Sequence, residues 1–497
     1  MSEYVKTILR DLGVAIHVPG AMALISLLVC LIAEEPHMLW AFSLCALVSL
    51  ALGQGLYWWF REAGAMQVRH AMDTAVLAWV VIAILGMLPF LIGAYLVPEG
   101  KPATQTLLAF RDPWSALFES VSGFTSTGLS MAKRPEDLPK SLIWWRSFMQ
   151  WTGGVGIIVV MLSVFHPAQY AYRLYFAEAR ERTIMSDVVE TVATIWWIYL
   201  LFTVVAVVAL HLAGMSWWHA LNYGLTGIAT GGFGATNGNI GDFGSGPRLV
   251  LLVIIICGAI SFASHYRLLV KGQLSIFWKD RESCLLFALL IVGATLLALE
   301  NRWYSGQWQW FESVFHWASA LCTAGFQAAS LDQWSPTARL LLTAGMVIGG
   351  VAGSTAGGLK LYRIVLLAEG ASDRIVRMAR QPWRIVGHQS LGDEEEAKRR
   401  RHTLEAATIL MVLWLVVLGI GTLALAHIAG REVSLAAALL ETASALGNVG
   451  LSSGITAPEL PASGKAVLIL LMWMGRLEIV PILVLFAGLR PRTRHHD

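Results

Sequence analysis

The sequence is poor in charge. Only 14% of its 497 residues are Asp, Glu, Lys or Arg, whereas 56% are hydrophobic and 21 are Trp. Soluble domains carry about 25% charged residues, so a soluble fold would leave a large apolar surface uncovered. The formal net charge of +3 gives no support to nucleic-acid binding. The composition therefore predicts a polytopic membrane protein.

Cysteine is scarce, and the motifs of enzymes are missing. The Cys residues lie in or beside apolar stretches without metal-ligand spacing, so we interpret them as core residues rather than as a disulfide or metal site. The His residues are scattered without an HExxH pattern, and no Walker or GxGxxG element occurs in a strand-turn-helix setting. A membrane enzyme is therefore disfavoured, although the sequence leaves it open. The cysteines are Cys30, Cys45, Cys257, Cys284 and Cys322.

Ten apolar stretches are long enough to cross a bilayer. Lys6 and Arg10 lead into a full-length span without a cleavage pattern, so we expect the first span to be retained. Basic residues cluster on alternate connections, at 61–69, 173–182, 267–281, 374–401 and 490–494, which predicts that these connections and both termini are cytoplasmic. The stretches run over residues 12–33, 37–60, 75–97, 142–166, 188–213, 247–270, 283–300, 337–367, 404–429 and 464–488.

Four segments share one tripeptide, in which Ser, Thr or Asn is followed by any residue and then Gly. They align without gaps over nine residues, as SGFTSTGLS, TGIATGGFG, SALCTAGFQ and SALGNVGLS, and a hydroxyl residue begins each copy. The glycines are 104, 93 and 125 residues apart, enough for two spans and a re-entrant loop. The pattern predicts four copies of one pore element. The tripeptides are Ser126, Thr127 and Gly128; Thr230, Gly231 and Gly232; Thr323, Ala324 and Gly325; and Asn448, Val449 and Gly450.

Each tripeptide follows a segment of helical length that is too short to cross, at about residues 114–125, 217–229, 311–322 and 433–447. Non-helical backbone persists at membrane depth only where protein buries it or water lines it, so four such half-helices imply a central cavity. The predicted fold is all-α: four parallel repeats of span, pore half-helix, filter loop and span surround a pseudo-fourfold pore. The predicted units are an N-terminal two-helix hairpin at 1–65, repeats at 66–183, 184–278 and 279–370, a cytoplasmic basic linker at 371–403, and a fourth repeat with the C-terminal tail at 404–497.

The second span of repeat 3 contains a Gly-rich segment. Each Gly costs a helix about 1 kcal/mol relative to Ala, which favours an unwound intramembrane loop whose freed backbone groups bond to Ser354 and Thr355. A small-residue helix packing face of the GxxxG kind is the alternative. Lys360 either belongs to the same segment or snorkels to the inner interface. The glycines are Gly349, Gly350, Gly353, Gly357 and Gly358.

Arg476 lies inside the last span, where a charge costs at least about 2.5 to 3.5 kcal/mol. It follows the tripeptide glycine of its own repeat by 26 residues, and the same offset in the other repeats reaches Gly154, Gly258 and Val351. Val351 lies in the Gly-rich segment, so that segment and the guanidinium are predicted at one depth below the filter, where together they form a gate. A structural salt bridge, for example with Glu478, is the alternative.

Glu119 and Glu441 occupy matching places nine residues before the tripeptide glycines, where the other repeats have Tyr223 and His316. We favour a scaffold role for these carboxylates behind the filter over attraction of cations at its mouth. The tripeptides themselves suit a cation. Rings of backbone carbonyls replace the hydration shell of an alkali ion, and Gly accepts the positive φ that aims carbonyls at one axis. The residue at the first position adds a side-chain oxygen or anchors the strand.

The four units, the GGVAGSTAGGLK segment, the GRLE around Arg476 and the preceding hairpin resemble the Trk/Ktr/HKT superfamily of potassium transporters over essentially the whole chain. The similarity is greatest to the TrkH-like membrane subunit of bacterial Trk systems. The resemblance implies a carbonyl filter for potassium, a gating loop in repeat 3, and an Arg of repeat 4 near it. It also implies a multi-pass protein of the bacterial inner membrane, a homodimer, and a cytosolic nucleotide-binding RCK regulator (TrkA-like), with no organic cofactor in this chain.

The resemblance leaves the transported ion partly open. Family members with Ser in place of the first filter Gly tend to pass sodium, so Gly128 favours potassium. Repeats 1, 3 and 4 lack a second Gly, and fewer ordered ion sites than in potassium-channel TVGYG filters are expected. A sodium-permeable or sodium/proton-coupled relative is the main alternative, whereas parallel repeats disfavour an inverted-repeat solute carrier. Segment 374–402 is either the docking surface of the regulator or an ordinary solvated loop.

Overall fold

The computed structural model describes residues 1–97, 103–156, 188–379, 391–430 and 433–488. Regular secondary structure in these ranges is entirely helical. Six of the described helices are long and apolar enough to cross a membrane, or seven if one sharply bent pair is counted as a span. Residues 157–166 of a predicted span, the basic clusters at 173–182 and 490–494, and residues 380–390 of the predicted linker lie outside the described ranges.

The N-terminal hairpin consists of Glu3–Ile32 and Leu39–Trp59. The two helices cross at a pair of glycines. A Cβ atom on Gly13 would lie 2.8 Å from the carbonyl oxygen of Gly53, and a Cβ atom on Gly53 would lie 2.8 Å from the carbonyl oxygen of Gly13. The close backbone approach therefore requires glycine on both sides. The hairpin packs against the first span of repeat 1.

The four repeats have the same order of elements: a first span, a half-helix of 12 residues, a loop that carries the tripeptide, and a second span. The half-helix bounds confirm the four predicted half-helices to within two residues. The first spans are Val68–Gly86 continued by Leu88–Gly93, Val188–Leu212, Arg281–Ser305 and Leu391–Ala429. The half-helices are Pro113–Phe124, Trp217–Ile228, Trp310–Leu321 and Leu435–Leu446.

Local sequence accounts for where the half-helices begin. Asp112, Ser216 and Ser434 each accept a hydrogen bond from a backbone N–H in the first turn of the half-helix that follows. Such N-caps satisfy N–H groups that have no partner inside the helix. Pro113 at the first helical position of repeat 1 adds a residue whose φ is already helical.

The second spans of repeats 2, 3 and 4 are interrupted helices, and the breaks inside the predicted spans at 247–270 and 464–488 were not predicted. In repeat 2 the helix axis bends by 103° between the two halves of the span. In repeat 1 the described helix ends at Val155, and Gly156 has a φ of 98°. The second spans are Lys140–Val155; Ser245–Gly258 with Phe262–Leu269; Pro336–Ile348 with Leu361–Ala379; and Ala462–Arg476 with Val480–Gly488.

Contacts with repeat 3 stabilise the break in repeat 2. The backbone N–H of Val351 donates to the carbonyl of Ala259 at 3.1 Å, and that of Phe262 donates to the carbonyl of Gly353 at 3.0 Å. Ser261 caps the second half of the span by accepting from a backbone N–H of its first turn. Two interrupted segments thus satisfy each other's backbone groups, as buried polar groups must be. The hydropathy of one segment gives no information about a hydrogen-bond partner in another repeat.

The described parts of the predicted linker are helical. Helix Leu361–Ala379 continues past the predicted end of repeat 3 at residue 370. Helix Leu391–Ala429 begins inside the predicted linker and runs without a break into the first span of repeat 4. The predicted unit boundaries at 370 and 403 therefore fall within helices.

Candidate ion pathway

The four tripeptides have the same backbone conformation. Their first residues have φ values of 54°, 48°, 52° and 53°, although none is glycine, and their third residues have φ values of 91°, 83°, 71° and 105°. Left-handed backbone is uncommon for residues other than Gly, so four occurrences at aligned positions indicate one repeated geometry. The first residues are Ser126, Thr230, Thr323 and Asn448, and the third are Gly128, Gly232, Gly325 and Gly450.

One hydrogen bond recurs at the end of every half-helix. The N–H of the middle residue donates to the carbonyl of the residue five positions earlier, at 2.9, 2.8, 2.7 and 2.8 Å in repeats 1 to 4. This bond closes the helix C-terminus and turns the chain into the tripeptide. The carbonyl ends of the four helix dipoles, which carry partial negative charge, therefore lead directly into the tripeptide loops. The middle residues are Thr127, Gly231, Ala324 and Val449.

The tripeptide loops form a closed ring. A Cβ atom added to Gly232 would lie 2.7 Å from the carbonyl oxygen of Ala324, which belongs to the next repeat. The same addition at the other three glycines would bring the Cβ atom onto the middle carbonyl of the following repeat, and repeat 4 is followed by repeat 1. The loops therefore surround one axis in the order 1, 2, 3, 4. Glycine is required at each third position both by φ and by this contact.

The side chains at the first positions anchor the loops to the second spans. Ser126 donates to the carbonyl of Gln150 at 2.9 Å, and Asn448 donates to the carbonyl of Met472 at 2.9 Å. Thr323 accepts a hydrogen bond at 2.7 Å from the Gly357 N–H in the Gly-rich segment. In repeat 2, the hydroxyl of Thr230 lies 3.2 Å from the hydroxyl of Thr355, which belongs to the same Gly-rich segment. Of the two predicted roles for these side chains, the contacts match anchoring.

The residues nine positions before the glycines are completely buried. Each contacts the non-helical segment that follows its tripeptide. Glu119 accepts from Met131 N–H at 2.7 Å, and Glu441 accepts from Ser453 N–H and Thr456 N–H, each at 2.9 Å. The equivalent residues of repeats 2 and 3 make the same kind of contact: Tyr223 bonds to Thr236 at 3.0 Å, and His316 lies 3.2 Å from the carbonyl oxygen of Ala329.

Arg146 joins repeats 1 and 2, although it was not among the predicted site residues. Its guanidinium pairs with Glu119 at 2.7 Å, with both side chains almost completely buried, and donates to the carbonyl of Gly234 at 3.0 Å. It also lies 4.1 Å from the ring centroid of Phe233. Arg146 stands in an apolar span, so the rule that drew attention to Arg476 would have identified it.

Replacing Arg146 with Met is expected to lower the free energy of unfolding by about 3 to 5 kcal/mol, because it leaves a buried carboxylate without its cation. Lys133 offers a matched control. It pairs with Glu459 at 2.6 Å, but the two side chains are 55% and 68% exposed, and such surface pairs contribute about 0 to 1 kcal/mol. Thermal unfolding of the purified protein in detergent ranks the two variants. Equal destabilisation by Arg146→Met and Lys133→Met would contradict the prediction.

The Gly-rich segment lies directly beneath the ring. It is non-helical between Ile348 and Leu361, which excludes the helical packing face as its structure. The Thr355 hydroxyl lies within hydrogen-bond distance of two carbonyl oxygens of repeat 2, those of Ile228 at 3.0 Å and Gly258 at 2.8 Å. The segment also reaches repeat 4, where the Gly447 carbonyl accepts from the N–H of residue 358 at 3.0 Å. The segment therefore bonds to the ends of three half-helices, those of repeats 2, 3 and 4.

Arg476 completes this layer on the side of repeat 1. It is the last residue of its helix, and its guanidinium donates to the carbonyl of Gly153 and lies 5.1 Å from the ring centroid of Trp79. The 26-residue offset in the sequence paired Arg476 with Gly154, which is the next residue after Gly153. The offset also paired Gly258 with Val351, and both lie in the contact between repeats 2 and 3.

A partly buried ion cluster fixes the lower end of the Gly-rich segment. Glu478 accepts from Arg363 and its carboxylate lies 3.0 Å from the ammonium of Lys360. Glu478 and Lys360 both have left-handed backbone, with φ values of 59° and 68°. The cluster joins the break in repeat 4 to the end of the segment in repeat 3. Arg363 was not predicted as a site residue. Its position about one helical turn after Lys360, a predicted gate residue, could have indicated it.

Comparisons with known proteins give the family. The sequence model of TrkH, described as a cation transport protein, matches residues 41–496. The chain is 30% identical to the Trk system potassium uptake protein TrkH of Escherichia coli K12 over 461 residues, which cover 90% of this chain and 91% of that protein. It is also 30% identical to an uncharacterized cation transporter of Methanocaldococcus jannaschii over 430 residues, covering 86% of this chain and 84% of that protein.

The fold agrees with these matches. The crystal structure of the potassium transporter TrkH from Vibrio parahaemolyticus superposes with a TM-score of 0.80 at 26% identity, covering 98% of this chain and 99% of that chain. The resemblance seen in the tripeptides, the Gly-rich segment and the GRLE sequence is thereby confirmed. The chain belongs to the TrkH family of cation transport proteins.

Proposed function

We propose that this chain is the potassium-translocating subunit of a Trk-type uptake system and that the ring of tripeptide loops is its selectivity filter. The closed ring carries the proposal, because four equivalent loops place their middle carbonyls around one axis. Carbonyl rings of this kind replace the hydration shell of a potassium ion. The potassium uptake proteins among the relatives support the choice of ion.

The residues nine positions before the glycines support the filter from behind. The carboxylate oxygens of Glu119 and Glu441 accept hydrogen bonds from backbone N–H groups of the segments that follow the tripeptides. A carboxylate occupied in this way has less capacity to attract cations at the mouth. Rigid support matters because the preference for potassium depends on where the carbonyls are held and on their field strength.

The Gly-rich segment and Arg476 form the gate in this proposal. The segment bonds to the half-helix ends of repeats 2, 3 and 4 and the guanidinium bonds to repeat 1, so the layer closes the pathway below the filter. A guanidinium there opposes a permeating cation electrostatically. Glu478 holds the end of the segment through Lys360 and Arg363. A purely structural role for Arg476 is the alternative that the variants below address.

Deleting residues 351–355 is expected to raise cation flux at least about tenfold, the change that follows from lowering a barrier by about 1.4 kcal/mol. The new ends are already in contact, since a Cβ atom on Gly350 would lie 2.5 Å from the Cβ atom of Ala356. Rubidium uptake into proteoliposomes measures the flux. Thr355→Val keeps the length and removes only the hydroxyl contacts, so it is expected to raise flux less. Unchanged or lower flux in the deletion variant, at equal amounts of folded protein, would argue for a structural role of the segment.

Growth of a potassium-uptake-deficient bacterial strain on low potassium, with and without a co-expressed RCK subunit, tests the function itself. Restored growth supports potassium uptake, and no growth in either condition would overturn it. Flux of the purified protein in the presence of sodium tests the ion. If substituting sodium for potassium leaves the flux unchanged, the proposed potassium selectivity is contradicted and a sodium-permeable relative is favoured.

The setting proposed for this multi-pass membrane protein is the bacterial inner membrane, with both termini cytoplasmic, as the alternation of basic connections predicts. Two copies form a homodimer, and a cytosolic RCK subunit of the TrkA kind regulates them. Segment 374–402 is the proposed docking surface, and helices occupy its described parts. Cross-linking from a cysteine introduced at Arg374 to the regulator would test this surface, and a cross-link that forms equally well from the opposite membrane face would overturn it.

A further inference from the structure

Gln150 lies at the seam between the filter loops of repeats 1 and 2. It is completely buried on the second span of repeat 1. Its amide nitrogen donates to the carbonyl of Gly231, and its amide oxygen accepts from the N–H of Phe233 at 3.0 Å. Its own main-chain carbonyl accepts from Ser126 at 2.9 Å. One side-chain amide therefore clamps the residues on both sides of Gly232, and the same residue anchors the loop of repeat 1.

The aligned positions in the other repeats carry no amide. Gln150 follows the tripeptide glycine of its repeat by 22 residues, and the same offset reaches Ile254, Val347 and Met472. None of these side chains can donate a hydrogen bond to a carbonyl, since the Met sulfur is only a weak acceptor. The ring is therefore fourfold in its backbone, but one seam carries a polar clamp that the aligned positions of the other seams do not supply.

Gly231 fits this clamp. Repeat 2 is the one repeat whose middle tripeptide residue is Gly. A Cβ atom there would meet the amide oxygen and carbon of Gln150, and its three nearest neighbours all belong to that side chain. Gly231 has no positive φ, so its backbone conformation does not demand glycine. The amide of Gln150 accounts for the absence of a side chain at this position.

Arg146, one helical turn before Gln150, extends the same contact outward. Its hydrogen bond to the Gly234 carbonyl and its position over the Phe233 ring fix the segment that follows the tripeptide of repeat 2. Three residues of repeat 2, at positions 231, 233 and 234, are thus positioned by the second span of repeat 1. The amide of Gln150 is the part of this contact that touches a carbonyl of the ring.

We propose that Gln150 is a specificity-determining residue that acts through the Gly231 carbonyl. A hydrogen bond from the amide uses one of the two acceptor sites of that oxygen and fixes where it lies. Carbonyl position and field strength are what a filter uses to discriminate between potassium and sodium. Gln150 contacts no ion in this scheme, and it sets the geometry of one ring carbonyl out of four. The inference rests on the proposed function of the ring as a potassium filter.

Gln150→Met, which installs the side chain found at the aligned position of repeat 4, tests the proposal. The potassium-to-sodium permeability ratio in proteoliposomes is expected to fall at least about threefold, the scale of losing one hydrogen bond. Ile254→Met is the matched control, since it is the aligned position of repeat 2 and has an apolar side chain with no polar group to lose. It is expected to leave the ratio unchanged. Melting temperatures of both variants show whether the fold is retained.

Gly231→Ala gives an independent test if Gln150→Met does not fold. Its Cβ atom displaces the amide and is expected to lower the ratio. Adding Gln150→Ala removes the amide oxygen and carbon, the two nearest of the three atoms that the Cβ atom would meet, so the double variant is expected to match Gln150→Ala alone. A wild-type protein that conducts potassium, with an unchanged ratio in Gln150→Met or an equal shift in the Ile254→Met control, would overturn the inference. A wild-type protein that does not conduct potassium would overturn the proposed function instead.

Discussion

Replacing Arg476 with Ala is expected to raise cation flux by about tenfold or more. A unit charge about 6 Å from a permeating cation opposes it by about 3 kcal/mol at an effective dielectric constant of about 20, which is more than a tenfold effect requires. The substitution also removes the hydrogen bond to the Gly153 carbonyl, which ties the break in repeat 4 to repeat 1. Rubidium flux per folded protein in proteoliposomes measures the effect.

Arg476→Lys separates charge from contact. The ammonium keeps the positive charge but loses the planar donors of the guanidinium, so flux is expected to stay near that of the wild type. An equal rise in Arg476→Lys and Arg476→Ala would show that the Gly153 contact, not the charge, holds the pathway closed. Unchanged or lower flux in both, with the protein folded, would leave Arg476 a structural residue.

Replacing Gly128 with Ser is expected to weaken the discrimination against sodium by an order of magnitude or so, the consequence of about 1 to 3 kcal/mol of backbone strain at a ring carbonyl. Gly128 has a φ of 91°, and an added Cβ atom would meet the Gly231 carbonyl. A side chain therefore displaces either its own carbonyl or that of the next repeat. Bi-ionic flux measurements give the permeability ratio.

Gly214 provides the control for this substitution. Its φ of 109° is also positive, but nothing lies within 4 Å of an added Cβ atom, and it stands between the first span and half-helix of repeat 2. Gly214→Ser introduces similar backbone strain outside the ring and is expected to leave the ratio intact. No change in the ratio for Gly128→Ser would mean that this loop does not form the filter.

The half-helices and tripeptides were predictable because their signals are local. A short apolar helix, a hydroxyl residue near its end and a glycine six residues after that hydroxyl residue all lie within about one helix length. The positive φ of Gly128 is one that glycine accepts at little cost. The left-handed conformation of Ser126 and its equivalents was not predictable from residue type. This conformation is enforced by the hydrogen bond that closes each half-helix and by the contacts that anchor the first tripeptide residue to a second span.

The breaks and the ion cluster were not predictable for the opposite reason. Glu478 was considered as a partner of Arg476, two residues away, but the structure pairs it with Lys360 and with Arg363, which is 115 residues away in sequence. The break near Gly258 is compensated by Thr355 of another repeat. Polar partners from distant segments leave no periodic pattern in either segment. Arg146 is the exception, since a charge in an apolar span is itself a signal.

The closure of the ring has a consequence for how the protein is made. The contact that completes it joins Asn448 to Thr127, which are 321 residues apart in the chain. Contacts of such long range form late, because the loop between them must be closed first. During synthesis the loop of repeat 1 therefore waits for nearly the whole chain to be inserted before its neighbour on one side exists. A chain truncated after repeat 3 would lack the loop that closes the ring and would therefore have no enclosed pathway.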